Sequence, residues 1–199
     1  MRASVAMVLM GALALTACSS LEGDGNVSTE IRTVNDFDAV DATNGVSVVL
    51  SIDSTASGDV ALEVTTDSNI QEFLTTTVSG TELTVTTDRA GGVTPSGPFD
   101  VSGTVAIIRA VSADDGAEVT LLGPVDDVTL AANGGAVIDA QKMGAVNVNV
   151  NADNGAKISI CVTGAVIGHA KNGADVTIFC GGDLSGVETS DGGTVSAAG

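Results

Sequence analysis

The sequence has few of the side chains that most enzyme and binding chemistry requires. Its 199 residues include no Trp, no Tyr, one His and four Phe. Lys and Arg number 7 against 25 Asp and Glu, which gives a formal net charge of -18. Because such a field repels other polyanions, we expect no nucleic-acid partner. Sugar-binding modules usually hold sugar rings on Trp or Tyr, so this composition also argues against such a module.

Familiar catalytic and metal-binding motifs are missing as well. The sequence contains no EF-hand spacing, Cys/His zinc cluster, Gly-x-Ser-x-Gly elbow or phosphate-binding loop. Acidic pairs such as Asp126-Asp127 would point to opposite faces of a strand. We therefore predict no catalytic residue, no cofactor and no metal site. Weak calcium binding by the acidic surface is the alternative that stays open.

Residues 1–17 predict an export signal, with Arg2 followed by an apolar run. The sequence Leu15-Thr16-Ala17-Cys18 resembles the bacterial lipoprotein signal called the lipobox. That resemblance implies a lipid on Cys18, cleavage after Ala17, and attachment of the chain to a membrane. Ser19 is not the Asp associated with inner-membrane retention, so an outer-membrane lipoprotein of a bacterial envelope is favoured. An ordinary secretory signal is the alternative.

The rest of the chain divides by composition. Residues 18–30 are polar and Gly-rich, which predicts a flexible tether. Residues 31–199 predict a single domain. Alternating apolar and polar residues in 31–89 predict strands, Pro95 and Pro98 place a loop at 90–98, and 99–199 predict regular coils. No other apolar run approaches 18 residues, so no segment is expected to span a bilayer.

A repeat runs from residue 116 to the end of the sequence. Its mark is a polar or small residue, Gly, a small residue, a variable residue and a β-branched one, as in Asn154-Gly155-Ala156-Lys157-Ile158. The repeat glycines are residues 116, 135, 155, 173 and 192, so the period is about 19 residues. Asx and Gly tolerate positive φ, so each copy predicts a tight corner, with the aliphatic residues turned inward.

A family resemblance lies in the strand-forming half and continues into the repeat. The segments at 37–42, 46–50, 62–70 and 78–85, including Val78-Ser79-Gly80-Thr81, together with the later Gly-Ala-x-Val units, resemble the head GIN domain family of adhesin-like bacterial lipoproteins. The resemblance implies an all-β fold, a right-handed parallel β-helix-like solenoid, here with coils of about 19 residues. The family's Ser residues beside Gly-Ala are Asn, Asp or other residues here, so no role of those serines transfers to this chain.

One outer face of the predicted coils is rich in Asx residues. Asn147, Asn149 and Asn151 alternate with aliphatic residues and lead to Asp153. Counting back from the repeat glycines aligns Asn151 with His169 and Glu188. These six residues form the predicted binding face. A catalytic or metal role for His169 would need a second His, so a solvated cross-strand charge pair is the favoured interpretation.

Cys161 and Cys180 are one period apart in a chain predicted to be exported. Neighbouring coils place Cα atoms within disulfide range, but the two residues follow their glycines at different offsets. A disulfide and two buried thiols both remain open.

These observations favour a lipid-anchored, non-enzymatic envelope protein that binds an envelope or surface partner in an adhesin-like way. Two alternatives remain. One is a carbohydrate-active β-helix enzyme, which needs two carboxylates about 5–10 Å apart in a cleft. The other is a structural protein that forms homo-oligomers through the open end of the solenoid, near Val195.

Overall fold

The computed structural model describes residues 19–198, and every regular element in that range is a β-strand. The predicted signal peptide and Cys18 lie outside the described residues. No helix in the described range is long and apolar enough to cross a membrane. In chain order the strands are β1 (Leu21–Glu22), β2 (Val27–Val34), β3 (Ala39–Ala42), β4 (Ser47–Ile52), β5 (Val60–Asp67), β6 (Leu74–Ser79), β7 (Glu82–Thr87), β8 (Val93–Thr94), β9 (Asp100–Val105), β10 (Ala110–Ala113), β11 (Glu118–Leu122), β12 (Val125–Ala132), β13 (Val137–Ala152), β14 (Lys157–Val162), β15 (Ala165–Ala170), β16 (Asp175–Phe179), β17 (Asp183–Thr189) and β18 (Thr194–Ala197).

Parallel pairing in the second half follows the sequence repeat. The β-branched residue of each repeat pairs with its counterpart on the next strand, in the order Val119, Ile138, Ile158, Val176, Val195. The long strand β13 belongs to two rows of strands. Near its start it pairs with β11 and β14, and near its end it pairs with β12 and β15.

The all-β class is confirmed, but the predicted right-handed parallel β-helix-like solenoid with coils of about 19 residues is wrong. Sixteen strands form one sheet of mixed orientation that curves around the core as a nearly closed barrel. Its antiparallel pairs are β2 with β5, β5 with β9, and β6 with β7. The cause of the last pair is local, because only Gly80 and Thr81 separate β6 from β7. So short a connection can only reverse the chain.

The corners of the repeat are as predicted. The residue before each repeat glycine has a positive φ: 51° at Asp115, 59° at Gly134, 51° at Asn154, 50° at Asn172 and 51° at Asp191. Successive corners are also tied together, since the backbone N–H of Gly155 donates to the carbonyl of Asn172 at 3.1 Å. The corners therefore set the register that the strands then follow.

The core is made of aliphatic side chains. Inward residues such as Leu50, Leu121 and Ile138 are fully buried, and each contributes roughly 1.5–3 kcal/mol to folding. At one end of the sheet the turn at residues 68–73 covers the core with the buried Ile70. At the other end β17 and β18 each pair on one side only, as far as the described strands show.

The predicted tether and the predicted loop meet in the structure. Within residues 18–30, β1 pairs in parallel with β8, which lies inside the predicted loop at 90–98. The first residues of β2 pair with β5. Residues 21–30 are thus largely strand, apart from the link at 23–26.

A buried carboxylate fastens that link. Asp67 is fully buried at the end of β5. It accepts hydrogen bonds from the N–H groups of Gly25 and Ser96, both at 2.8 Å, and from the Ser96 hydroxyl at 2.7 Å. These bonds, the Ser96 hydroxyl first, hold the pKa of Asp67 below its ordinary value of 3.8. The carboxylate thereby joins three segments that are distant in the sequence.

Candidate functional site

The predicted binding face lies on the outer side of β12, β13, β15 and β17. Parallel register places Asn151 beside His169, and His169 beside Glu188. Asn149 lies between Thr129 and Ile167. The sheet therefore brings these residues onto one surface, because neighbouring strands about 4.8 Å apart keep equivalent positions aligned.

Asn147 is engaged by the protein itself. Its Nδ2 donates to Asp127 Oδ1 at 2.9 Å, and its Oδ1 accepts from the Ala165 N–H at 3.0 Å. Gly164 leaves room for this side chain, since a Cβ there would lie 2.7 Å from Asn147 Oδ1. Asn147 thus links β12, β13 and β15 and is a structural residue of the face.

Asn149 and Asn151 have different surroundings. Both side chains are half-buried on the outer surface. Within residues 19–198 neither amide has a hydrogen-bond partner in the protein, whereas the amide of Asn147 has two. An Asn amide offers two donors and an acceptor with two lone pairs, so these two side chains are available to a bound molecule.

His169 pairs with Asp153 and not with its register neighbour. His169 Nε2 lies 2.9 Å from Asp153 Oδ2, and the two side chains are 27% and 31% exposed. Asn172 Nδ2 also donates to Asp153 Oδ1, at 3.4 Å. Glu188 is exposed beside His169 and makes no ion pair with it in the part of the chain that the structure describes. A partly exposed pair of this kind contributes about 0.2–1 kcal/mol.

The row that contains Asn151 continues through Ser112 to Asp41. Partial burial raises the pKa of Asp41, and the carboxylates of Glu82 and Asp114 raise it further. This end of the row is therefore rich in negative charge and favours hydrogen-bond donors or cations over acceptors.

Two shallow depressions cross this face. One, of about 330 Å³, is lined by Asn147, Asn149, Arg109 and Ile167, among others. The second, of about 340 Å³, is lined by Asn151, Asp153, His169 and Asp114, among others. The face is thus concave in two places; five of the six predicted residues are divided between them, and Glu188 lines neither.

Sequence reasoning missed Arg109 and Ile167. Ile167 is 52% exposed and lies beside Asn149 on the face. The sequence did contain a signal for Ile167, because this apolar residue occupies an outward position of β15 where a polar residue is expected. Arg109 forms an ion pair with Asp38 at 3.1 Å and borders the same depression. Nothing in the local sequence placed it near Asn149.

The cysteines of the repeat are bonded to each other. Cys161 in β14 and Cys180, which follows β16, form a disulfide with a Cα–Cα distance of 5.1 Å. The bond joins β14 to the residue that follows β16, its parallel neighbour.

A further groove lies elsewhere, across the outer side of β4, β5 and β9. Its volume is about 530 Å³, and Asp36, Asp59 and Glu63 are the carboxylates that line it. Among residues 19–198 no group of three or more His, Cys, Asp or Glu side chains is arranged to hold a metal ion.

The fold and this surface define a class of protein: an all-β domain that displays a polar, concave sheet face. Residues 93–182 match the family described as "putative auto-transporter adhesin, head GIN domain". The predicted resemblance to the head GIN domain family is therefore confirmed over that range. No curated protein matches the chain.

Solved structures similar to this chain come from Bacteroides and Parabacteroides species. A putative adhesin from Bacteroides fragilis NCTC 9343 is 11% identical, with a TM-score of 0.50 over 89% of this chain and 99% of that one. This likeness concerns the fold alone. A putative lipid binding protein from Parabacteroides distasonis ATCC 8503 is 13% identical, with a TM-score of 0.48 over 91% of this chain and 100% of that one.

Proposed function

We propose that this protein is a lipid-anchored, non-enzymatic component of a bacterial envelope, and that the face around Asn149 and Asn151 binds a partner molecule. The lipobox supports the anchor and the outer-membrane location, and the family description supports adhesin-like binding. The observation that carries the site is the contrast between Asn147, whose amide is used inside the protein, and Asn149 and Asn151, whose amides bond to none of the residues that the structure describes.

The position of the free amides suits them for recognition. They stand on a central strand whose backbone is paired on both sides, so their positions are fixed before a partner arrives. Little further ordering is then needed on binding. Ile167 adds an exposed apolar surface beside Asn149, and burial of apolar surface is a favourable term in association. The face therefore fits a neutral or donor-rich partner better than a polyanion.

A pair of variants tests the site. The processed lipoprotein is measured for binding to outer-membrane fractions, to sister cells and to host-cell surfaces. Asn149→Ala with Asn151→Ala is expected to abolish binding while leaving the melting temperature unchanged. The matched control is Ser159→Ala, on the outer side of β14 and away from this face. Binding that is unchanged in the double variant, or absent in the unaltered protein, would exclude the proposal.

The alternative of a carbohydrate-active enzyme rests on the groove lined by Asp36, Asp59 and Glu63. A pair of carboxylates in a cleft is the arrangement that glycoside hydrolysis uses. The test is the release of reducing ends from envelope polysaccharides, with Glu63→Gln as the inactive variant. Equal release by both proteins, or none by either, removes this alternative.

A second copy of this chain is another candidate partner. The edges of β17 and β18 carry backbone groups that no described strand pairs with, and such edges can pair with another chain. We expect a concentration-dependent dimer in sedimentation equilibrium that Val187→Pro, which removes an edge N–H, would weaken. A monomer at all concentrations would exclude this partner.

A further inference from the structure

We propose that the segment following Cys18 is a docked strap that holds one end of the domain directly against the bilayer. The inference rests on the proposed lipid at Cys18 and identifies the surface that faces the membrane. We call this surface the membrane-facing end and define it as residues 19–24, 68–69 and 89–97.

The docking starts at the first described residue. The carbonyl of Ser19 accepts a hydrogen bond from Arg89 Nη1 at 3.0 Å, and the Ser20 hydroxyl accepts one from Thr94 Oγ1 at 3.0 Å. The N–H of Leu21 then donates to the carbonyl of Gly92 at 3.1 Å. Only two residues separate Cys18 from β1, and both are bonded to the loop that contains β8.

A second set of contacts fixes the other side of the strap. Asn69 Nδ2 donates to the carbonyl of Glu22 at 2.9 Å, and Asn69 Oδ1 accepts from the Asp24 N–H at 3.1 Å. Ser68 Oγ donates to Asp24 Oδ2 at 2.8 Å. Beyond these bonds the buried Asp67 holds Gly25. The strap is therefore bonded to two separate loops along its whole length.

The length of free chain determines the distance to the membrane. Three residues from Cys18 to Leu21 span at most about 11 Å, whereas a free tether of 13 residues would reach about 45 Å. A lipid on Cys18 thus leaves no room for the domain to move away from the headgroups. The membrane-facing end must lie at the bilayer surface.

Charge does not account for this contact. The membrane-facing end carries Glu22, Asp24 and Arg89, and Asp88 adjoins it, so its balance is negative. Anionic headgroups would repel it. The bilayer that fits this end is therefore one with a zwitterionic surface, reached through the lipid anchor and not through basic residues.

The same geometry positions the binding face. β7 ends at Thr87, immediately before the membrane-facing end, and the strand order continues β7, β3, β10, β12, β13. Four strand spacings place Asn149 in β13 about 19 Å along the sheet from β7. β17 lies two strands further. The candidate face is thus several strands away from the membrane-facing end, where a partner can reach it.

Fluorescence quenching in vesicles tests the strap. The lipoprotein is extracted from its own membrane and reconstituted into phosphatidylcholine vesicles that carry a headgroup-linked quencher. A fluorophore is attached to Ala90→Cys at the membrane-facing end or to Ser185→Cys in β17. We expect severalfold stronger quenching at position 90 than at position 185. Equal quenching at both positions would overturn the proposal.

A linker variant supplies the matched control. Inserting about twelve Gly and Ser residues between Ser19 and Ser20 adds roughly 20 Å of flexible reach without altering a strand. Quenching at position 90 should then fall to the level at position 185, and quenching that stays unchanged would also overturn the proposal. Failure of the unaltered chain to enter vesicles at all would instead refute the lipid anchor, which separates the two hypotheses.

Discussion

At the scale of single residues, asparagine has three distinct roles in this protein, and its neighbours decide which. Asn154 forms a corner because it accepts a φ of 51°. Asn147 joins three strands through both ends of its amide. Asn149 lies two positions along the same strand, and its amide bonds to nothing within residues 19–198. The three residues look alike in the sequence. Only their backbone angles and hydrogen bonds show that Asn147 and Asn154 support the fold while Asn149 lies on the binding surface.

Gly168 is required by a close backbone approach. Its φ is +121°, and a Cβ there would collide with the carbonyl oxygen of Val150 on the neighbouring strand. We expect Gly168→Ala to lower the free energy of unfolding by at least about 2 kcal/mol, because strain and collision add. Urea unfolding measures the effect. Gly144→Ala is the control, since nothing lies within 4 Å of its Cβ position; similar losses in both variants would contradict this account.

Asp67→Asn should destabilise the protein most at neutral pH. The Asp67 pKa is held below 3.8 in the folded state by the Ser96 and Gly25 hydrogen bonds. The stability that this charge supplies is complete above pH 3.8 and is lost as the pH falls through the lower folded value. The melting temperatures of the variant and the unaltered protein should therefore differ at pH 7 and converge below pH 3.8.

The control for Asp67 is Asp53→Asn. The pKa of Asp53 is also lowered, by the Thr55 hydroxyl and N–H, but the residue is exposed and its carboxylate bonds, among the described residues, only to Thr55 in its own turn. We expect a much smaller change in melting temperature from this variant. An equal change would mean that joining distant segments is not what makes Asp67 important.

At the scale of elements, the alternation of apolar and polar residues and the relative direction of paired strands are specified separately. The alternation in β4 and β5 correctly predicts which residues are buried, such as Val48 and Leu62. It contains no information on whether a neighbouring strand runs parallel or antiparallel. The repeat supplied direction only from residue 116 onward. The prediction of a parallel solenoid failed in the first half, where β2 and β6 pair antiparallel.

The disulfide is an element-scale brace between β14 and the end of β16. It closes a loop with a sequence separation of 19. Opening a disulfide that closes a loop of this size lowers the free energy of unfolding of the protein by about 3 kcal/mol. We expect a reducing agent to lower the melting temperature of the unaltered protein. The double variant Cys161→Ala with Cys180→Ala should melt at the lower temperature with or without reductant; a response of that variant to reductant would point to another cause.

At the scale of the whole molecule, the excess of negative charge affects the stability of the fold. A net charge of -18 makes the folded chain repel itself. Added salt shortens the range of that repulsion to about 10 Å at 0.1 M. We therefore expect the melting temperature at pH 7 to rise as sodium chloride increases from 10 to 500 mM. A melting temperature that falls over this range would mean that specific ion pairs outweigh the overall repulsion.

Local sequence patterns determined the all-β class, the inward residues, the Asx-Gly corners and the parallel register of the repeats, because each depends on residues close together in the chain or one period apart. Tertiary structure decided the direction of the first strands, the docking of residues 19–26 and the difference between Asn147 and Asn149. The Asp67 contacts show why: they join residues 42 and 29 positions apart. No local pattern specifies such pairings, since they depend on which segments the folded sheet brings together.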